Sequence, residues 1–339
     1  MSRTVLVTGA SGVIGRAVAE ELAGHTVIGV AHSDTDRPPV DELIHGDLGA
    51  PRLGLSEVEW RALAERVDVI VHSGALTAWG QDPERYQSIN IDGTARIIEL
   101  AKLADAPIHL LSTCFVHAIE RDALDSMGED NVVRPYIISK LAAERLVADC
   151  GLPYAIYRPT NLVGDSRTGA SSRPQIVQTM SDFVCRGKAP YFPAHPGNLI
   201  DIVPLDVTAV AVARAVAADD LRGQVYWLTY GGDAMSVEEA REILVEHAAS
   251  AGRDLGDIPV VDPRAELPIP LSDLPATSRT FIKVLIDVSE TTHASGGVLP
   301  TSMTELGNRL GVPAPSDRDA YRLSLKYWAE QRAAARDRS

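Results

Sequence analysis

Residues 4–15 read TVLVTGASGVIG, an apolar, β-branched run that breaks into Gly9, Gly12 and Gly15, spaced by three. A strand that ends in such a turn and opens a helix suits a bound pyrophosphate. The first glycine permits the tight turn, the second lets the phosphates approach the main chain, and the third lets helix and sheet pack closely. The phosphates then face unpaired N–H groups and the positive helix end. Gly9, Ser11, Gly12, Val13, Ile14 and Gly15 are the expected cofactor turn. The plainer alternative is a glycine-rich turn without a ligand, and the rest of the chain decides between them.

Up to about residue 160, short β-branched runs alternate with helix-period segments, the pattern of repeated βαβ units and a parallel sheet. TVLVTG, HTVIGVAH, VDVIVHS, PIHLLST and PYAIYRP read as strands, with a further one before GDL at 46–48. RAVAEELAG, SEVEWRALAER with its Ser56/Glu59 capping box, ERYQSINIDGTARIIELAK and PYIISKLAAERLVAD read as helices. DVTAVAVARAVAA and QVYWLTY add one more helix and strand. The fold class is α/β, a doubly wound parallel (Rossmann) sheet, and a glycine turn at its first strand end predicts a dinucleotide. Residues 1–160 plus 208–231 form the expected core, and 161–207 plus 232–339 a smaller substrate-binding cap. Residues 255–300 read as proline-rich and polar turns, with amphipathic helices at SVEEAREILVEHAAS and SDRDAYRLSLKYWAEQRAAARD.

Composition bounds the partners. A net charge of -14 opposes nucleic acid and, more weakly, an acidic carrier protein. Cys114, Cys150 and Cys185 form no C-x-x-C pair and no histidine cluster has metal spacing, so neither a disulfide framework nor a metal is expected. No apolar stretch reaches membrane length, and a cytoplasmic location with a small-molecule substrate is the expectation.

The second strand end selects the dinucleotide. A carboxylate there would hold a free ribose and repel a 2′-phosphate. Ala31, His32 and Ser33 stand at that place, with Arg16 after the last glycine and Arg37 further on, so NADP(H) is favoured over NAD(H). Asp34 is the contrary feature. Asp47, followed by Leu48, could accept from the adenine amino group, or could be an ordinary turn aspartate.

Tyr136 and Lys140 lie four apart on one helix face. An ammonium beside a phenol is expected to lower its pKa and make it a proton donor near neutral pH. The chain has only five lysines, which makes the pairing harder to dismiss. Ser112 and Thr113 end the strand LLST, where a hydroxyl could bind a substrate carbonyl. Asn90, in SINIDGT, is a poor helix former; a turn-distorting or water-holding role is open to it, and so equally is that of a plain surface asparagine.

Taken together, TGASGVIG, GDL, Thr113, YIISK and RPTNLVG resemble an extended short-chain dehydrogenase/reductase over roughly residues 4–235. More narrowly, GDLGAPRLGLS, VIVHSGALTAW and LLSTCFV resemble its thioester-reductase-like branch, which includes fatty acyl-CoA reductases and the reductase ends of carrier-protein megasynthases. The resemblance implies Thr113, Tyr136 and Lys140 as the catalytic group and Asn90 as support for a proton-relay water. It implies that Ser73, Gly74 and Ala75 line the cofactor and that Arg158, Pro159, Thr160, Asn161 and Leu162 follow the nicotinamide side. Trp79, Phe115, Asn161 and Arg167, in the 164–173 loop, are expected to face substrate. Ser73 and Ala78 stand where the family commonly has asparagines, Pro135 where it has glycine, and His117–Ala118 where it has Tyr-Gly. The expected activity is NADPH-dependent reduction of a ketone or aldehyde on a bulky small molecule of secondary metabolism, such as antibiotic biosynthesis. Alternatives are a thioester reductase acting on coenzyme A or a carrier protein, an NAD-dependent nucleotide-sugar epimerase or dehydratase, and a non-catalytic cofactor sensor. A homodimer is compatible with the family.

Overall fold

Strand β1 (Thr4–Thr8) sits inside a seven-stranded sheet with β2 (Thr26–Ala31), β3 (Glu42–His45), β4 (Val69–His72), β5 (Ile108–Leu111), β6 (Tyr154–Pro159) and β7 (Gln224–Leu228). The computed structural model describes residues 2–32, 37–218 and 221–336. The order is β7-β6-β5-β4-β1-β2-β3, and every pairing is parallel. Chain order reverses between β1 and β4, which opens a crevice at their carboxyl ends, where Thr8 lies opposite His72.

Helices cover both faces, which is why the strands are apolar throughout rather than alternating. On one face α1 (Val13–Glu21) and α6 (Leu205–Ala218) pack Val18 and Val212 against Val5, Val7 and Tyr157. On the other, α2 (Glu57–Ala64), α3 (Asp92–Ala104) and α4 (Arg134–Ala148) pack Trp60, Ile97 and Val147 against Leu6, Ile70 and Leu110. Each fully buried aliphatic side chain contributes about 1.5–3 kcal/mol. The Ser56–Glu59 capping box forms as expected, with Glu59 N donating to Ser56 Oγ at 3.3 Å.

Further elements build a separate apolar core: α5 (Ile176–Cys185), α7 (Val237–Ser250), α8 (Ala276–Ala294) and α10 (Asp317–Arg336) bring together Phe183, Leu244, Ile282 and Tyr321. A short helix, α9 (Met303–Leu310), instead joins the α1/α6 side through Leu306. The reading of 255–300 as turns is corrected by the 19-residue α8. Its apolar positions, Phe281, Ile282, Leu285 and Ile286, repeat at helical spacing, but proline-rich flanks and many Ser and Thr obscure that repeat. The single helix expected across 84–102 is also broken: a turn at Pro83–Tyr86 passes through a π-helical stretch, Gln87–Ile91, before α3 begins.

Candidate active site

At the crevice each glycine has a separate steric reason. Gly9 has φ 66°, and a Cβ on it would lie 2.6 Å from Gly74 Cα; one on Gly15 would lie 2.2 Å from Gly9 O. Gly12 is the N-cap of α1 and supplies no side-chain cap, so the first-turn N–H groups at Val13 and Ile14 face outward unsatisfied by any side chain. Beside them Ser73 Oγ donates to Thr8 O at 2.8 Å, and Gly74 N donates to Thr8 Oγ1 at 3.2 Å. Leu48 packs its side chain toward Gly74. A bare helix start with bare main chain around it fits an anionic pyrophosphate. His32 follows the end of β2, and Arg16 Nη1 donates to Arg37 O at 3.3 Å, which ties α1 to the segment after β2. Ser33 and Asp34 lie outside the described residues. Asp47 Oδ1 accepts from Gly49 N at 2.8 Å, the bond of an ordinary turn aspartate.

A buried hydrogen-bond chain runs from this turn toward α3. Thr94 Oγ1 donates to Asn90 O at 2.6 Å and so accepts from His72 Nε2, 3.0 Å away. His72 Nδ1 must then accept from Thr8 Oγ1, at 2.7 Å. His72 is the neutral Nε2–H tautomer throughout: burial, helped by the Lys140 charge, pushes its pKa down to about 3. From the sequence His72 is only a strand-end residue. The signal is the pair of threonines at strand and helix ends, Thr8 and Thr94, which only the fold brings to it.

The amide of Asn90 is fully engaged. Its Oδ1 accepts from Leu76 N at 2.7 Å, and its Nδ2 donates to Leu76 O at 3.1 Å and Ser139 Oγ at 2.9 Å. Ser139 Oγ in turn donates to Tyr136 O at 2.7 Å. Asn90 is thus bonded on both sides within a distorted turn. The π stretch aims it at the loop after β4, and it ties that loop to α4.

Thr113, Tyr136 and Lys140 converge. Thr113 follows β5 by two residues and caps the turn Cys114–Val116, with its hydroxyl close to the Tyr136 phenol. Tyr136 is buried, its ring 6.4 Å from that of Tyr86. Lys140 is 4% exposed and its Nζ donates to Leu111 O at 2.6 Å. The expectation of a lowered phenol pKa is not met. Burial raises it, the neighbouring Cys114 and Tyr86 add to the rise, and only the Thr113 hydroxyl opposes. Lys140 is itself the shifted group, pushed down to about 8 by burial against the supporting charge of Glu144. Next to this group, Ser112 Oγ is buried with no partner among the described residues.

Of the residues expected toward nicotinamide and substrate, Pro159 ends β6, while Asn161 and Leu162 form a short ribbon with Ile202 and Val203. Thr160 Oγ1 donates to Asp201 O at 2.8 Å and also meets the Cys114 thiol. Ala75 lies between Gly74 and the Leu76 that Asn90 holds. Trp79 and Phe115 pack around Tyr136 and Tyr86 in one apolar cluster. Arg158, expected on the nicotinamide side, spends its guanidinium on Glu144 of α4 and on Glu120. Arg167 lies outside the apolar cluster around Tyr136. Its side chain is 81% exposed, pairs with Asp165 at 3.6 Å, and lines an outer groove of about 370 Å³ with Arg16, Ala209 and Tyr327. The loop turns that way because Ser166 binds Asp206 of α6 and Gly169 presses on Leu323 O of α10. No cluster able to hold a metal occurs among the described residues, and none of their helices is long and apolar enough to cross a membrane.

The profile of an NAD-binding family described as Male sterility protein matches residues 41–212. The chain belongs to that family. It is an extended short-chain dehydrogenase/reductase of the thioester-reductase-like branch, an oxidoreductase with a nicotinamide cofactor. Part of the reductase is 35% identical over 182 residues to a linear gramicidin synthase polypeptide of Brevibacillus parabrevis, covering 50% of this chain and 4% of that one. It is 28% identical over 260 residues to a polyketide synthase-nonribosomal peptide synthetase of Phaeosphaeria nodorum, covering 68% of this chain and 6% of the other. The reductase thus spans only a small part of the curated relatives it matches. Its fold matches the terminal R domain from the myxalamid PKS-NRPS biosynthetic pathway with a TM-score of 0.73 at 24% identity, over 97% of this chain and 91% of that one.

Proposed function

We propose that this reductase uses NADPH to reduce the carbonyl of a bulky small molecule of secondary metabolism. The convergence of Thr113, Tyr136 and Lys140 in one buried cluster carries the reading. Bound at the glycine turn, the cofactor supplies a hydride. Thr113 binds the substrate oxygen. Tyr136, kept protonated by its raised pKa, delivers the phenolic hydrogen to the oxygen as negative charge develops there. Lys140 holds the cofactor ribose, and the tyrosinate left by the transfer takes its replacement proton from solvent. Trp79 and Phe115 supply the apolar wall that a bulky substrate requires. Ala31 and the approach of Arg16 to Arg37 support NADP(H), because neither repels a 2′-phosphate.

The likeness to synthetase reductase domains favours a second reading, reduction of an acyl thioester to an aldehyde with release of thiol. One experiment separates the two. The purified chain is incubated with NADPH and a panel of ketones, aldehydes and acyl thioesters; alcohol formation from the free carbonyls supports the first reading, and free thiol with aldehyde supports the second. Tyr136→Phe lowers kcat by about 10³-fold on the productive substrate while leaving NADPH binding unchanged. Undiminished turnover in that variant overturns the assignment.

A further inference from the structure

We propose that Arg173 is a cofactor-binding residue that clamps the pyrophosphate, so that the segment after β6 closes over the nucleotide rather than over the substrate. The inference rests on reading the glycine turn as the dinucleotide site. Arg173 Nη2 donates to Ser11 O at 2.7 Å, which places the guanidinium at the lip of the turn that opens α1. Among the described residues no carboxylate pairs with it, whereas its loop neighbour Arg167 has Asp165 and Arg16 on α1 has Glu20. An un-neutralised guanidinium beside uncapped helix N–H groups is what a doubly charged diphosphate needs. Ser11 O takes one N–H, and the other donors of the fork remain for phosphate oxygens.

The base of this arm is fixed before any ligand arrives. Arg173 O accepts from Ser171 Oγ and from Gln175 Nε2, each at 3.1 Å, and Pro174 restricts the Arg173 backbone to extended conformations. Trp328 Nε1 donates to Ser171 Oγ at 3.3 Å, so α10 steadies the arm from outside. Arg173 therefore presents its charge from a held position and loses little freedom on binding.

The test is titration of the full chain with NADP+ and with adenosine 2′-monophosphate, which carries the adenosine end but no pyrophosphate. Arg173→Ala raises the Kd for NADP+ about tenfold and leaves that for adenosine 2′-monophosphate within about twofold. Arg173→Lys gives an intermediate value, since a point charge replaces the fork. The wild-type affinity for NADP+ also falls more steeply with salt than that of Arg173→Ala. An unchanged Kd for NADP+, or an equal loss for both ligands, overturns the clamp while leaving the cofactor reading intact. Failure of the wild-type chain to bind NADP+ refutes the cofactor reading itself, and the clamp with it.

Discussion

Two buried cations lie on neighbouring elements of this molecule, and they are treated in opposite ways. Arg158, on β6, is 4% exposed and makes four charge-assisted hydrogen bonds: to Glu144 at 3.0 and 2.5 Å, and to Glu120 at 2.9 and 2.6 Å. The ring of Trp227 lies under its guanidinium at 4.5 Å. Lys140, on α4, is equally buried and has a single neutral partner, the Leu111 carbonyl. Burial acts on both, but in Arg158 the two carboxylates outweigh it and the pKa rises, while in Lys140 it wins and the pKa drops to about 8. The arginine is compensated and structural. The lysine is left underpaired one helical turn from Tyr136, which is how a fold keeps a cation able to interact with a ligand or give up a proton.

The largest effects come from removing either cation's defining feature. Lys140→Met lowers turnover by about 10³-fold and at the same time raises stability at pH 7 by about 1–2 kcal/mol, since a costly buried charge disappears. The sign follows from linkage. The folded pKa, about 8, lies below the ordinary 10.5, so between those values the unfolded chain holds the extra proton and wild-type stability rises with pH. Unfolding by urea across that range shows the rise in the wild type and its absence in Lys140→Met; a variant less stable than wild type at pH 7 contradicts the account. Glu144→Gln works on the other cation. It leaves Arg158 underpaired in the core and costs about 3 kcal/mol, read as a lowered denaturant midpoint.

The same substitution reaches the lysine by charge alone. Glu144 supports the Lys140 ammonium, so the fall of kcat/KM with rising pH, expected near 8 in the wild type, moves to lower pH in Glu144→Gln. An unmoved alkaline limb means that the titrating group is not Lys140.

This contrast is half legible in the sequence. Tyr136 and Lys140 share a helix face, and the glycine turn and the Ser56 capping box are also local, so spacing alone discloses them. Arg158 follows Tyr157 in a strand. Tyr157 packs on the α1/α6 side, so Arg158 must face α4, but which carboxylate waits there depends on how α4 crosses the sheet. Asn90 reaches Leu76 and Ser139 by tertiary placement, and Arg167 is drawn outward by Asp206 and Leu323. Residues whose partners lie beyond one turn or one strand pair can be assigned from sequence only by analogy, and that is where the structure changes the assignment.

The smallest effect sharpens the comparison most, because it changes solvent and little else. Glu120 contacts Arg158 as closely as Glu144 does, yet its side chain is 36% exposed where that of Glu144 is 5%. Water screens the pair and also hydrates whatever remains after substitution, so Glu120→Gln costs no more than about 1 kcal/mol, and turnover is unchanged. The Arg158 hydrogen bonds hold the Glu120 carboxyl below its ordinary 4.5, against a burial effect that pushes upward. Its contribution is therefore complete above 4.5 and fades as the pH falls. Acid unfolding monitored from pH 6 downward should show a shallower loss of stability in Glu120→Gln than in wild type. If Glu120→Gln instead costs as much as Glu144→Gln at neutral pH, burial is not what separates the two carboxylates, and the distinction between a compensated and an underpaired cation loses its physical basis.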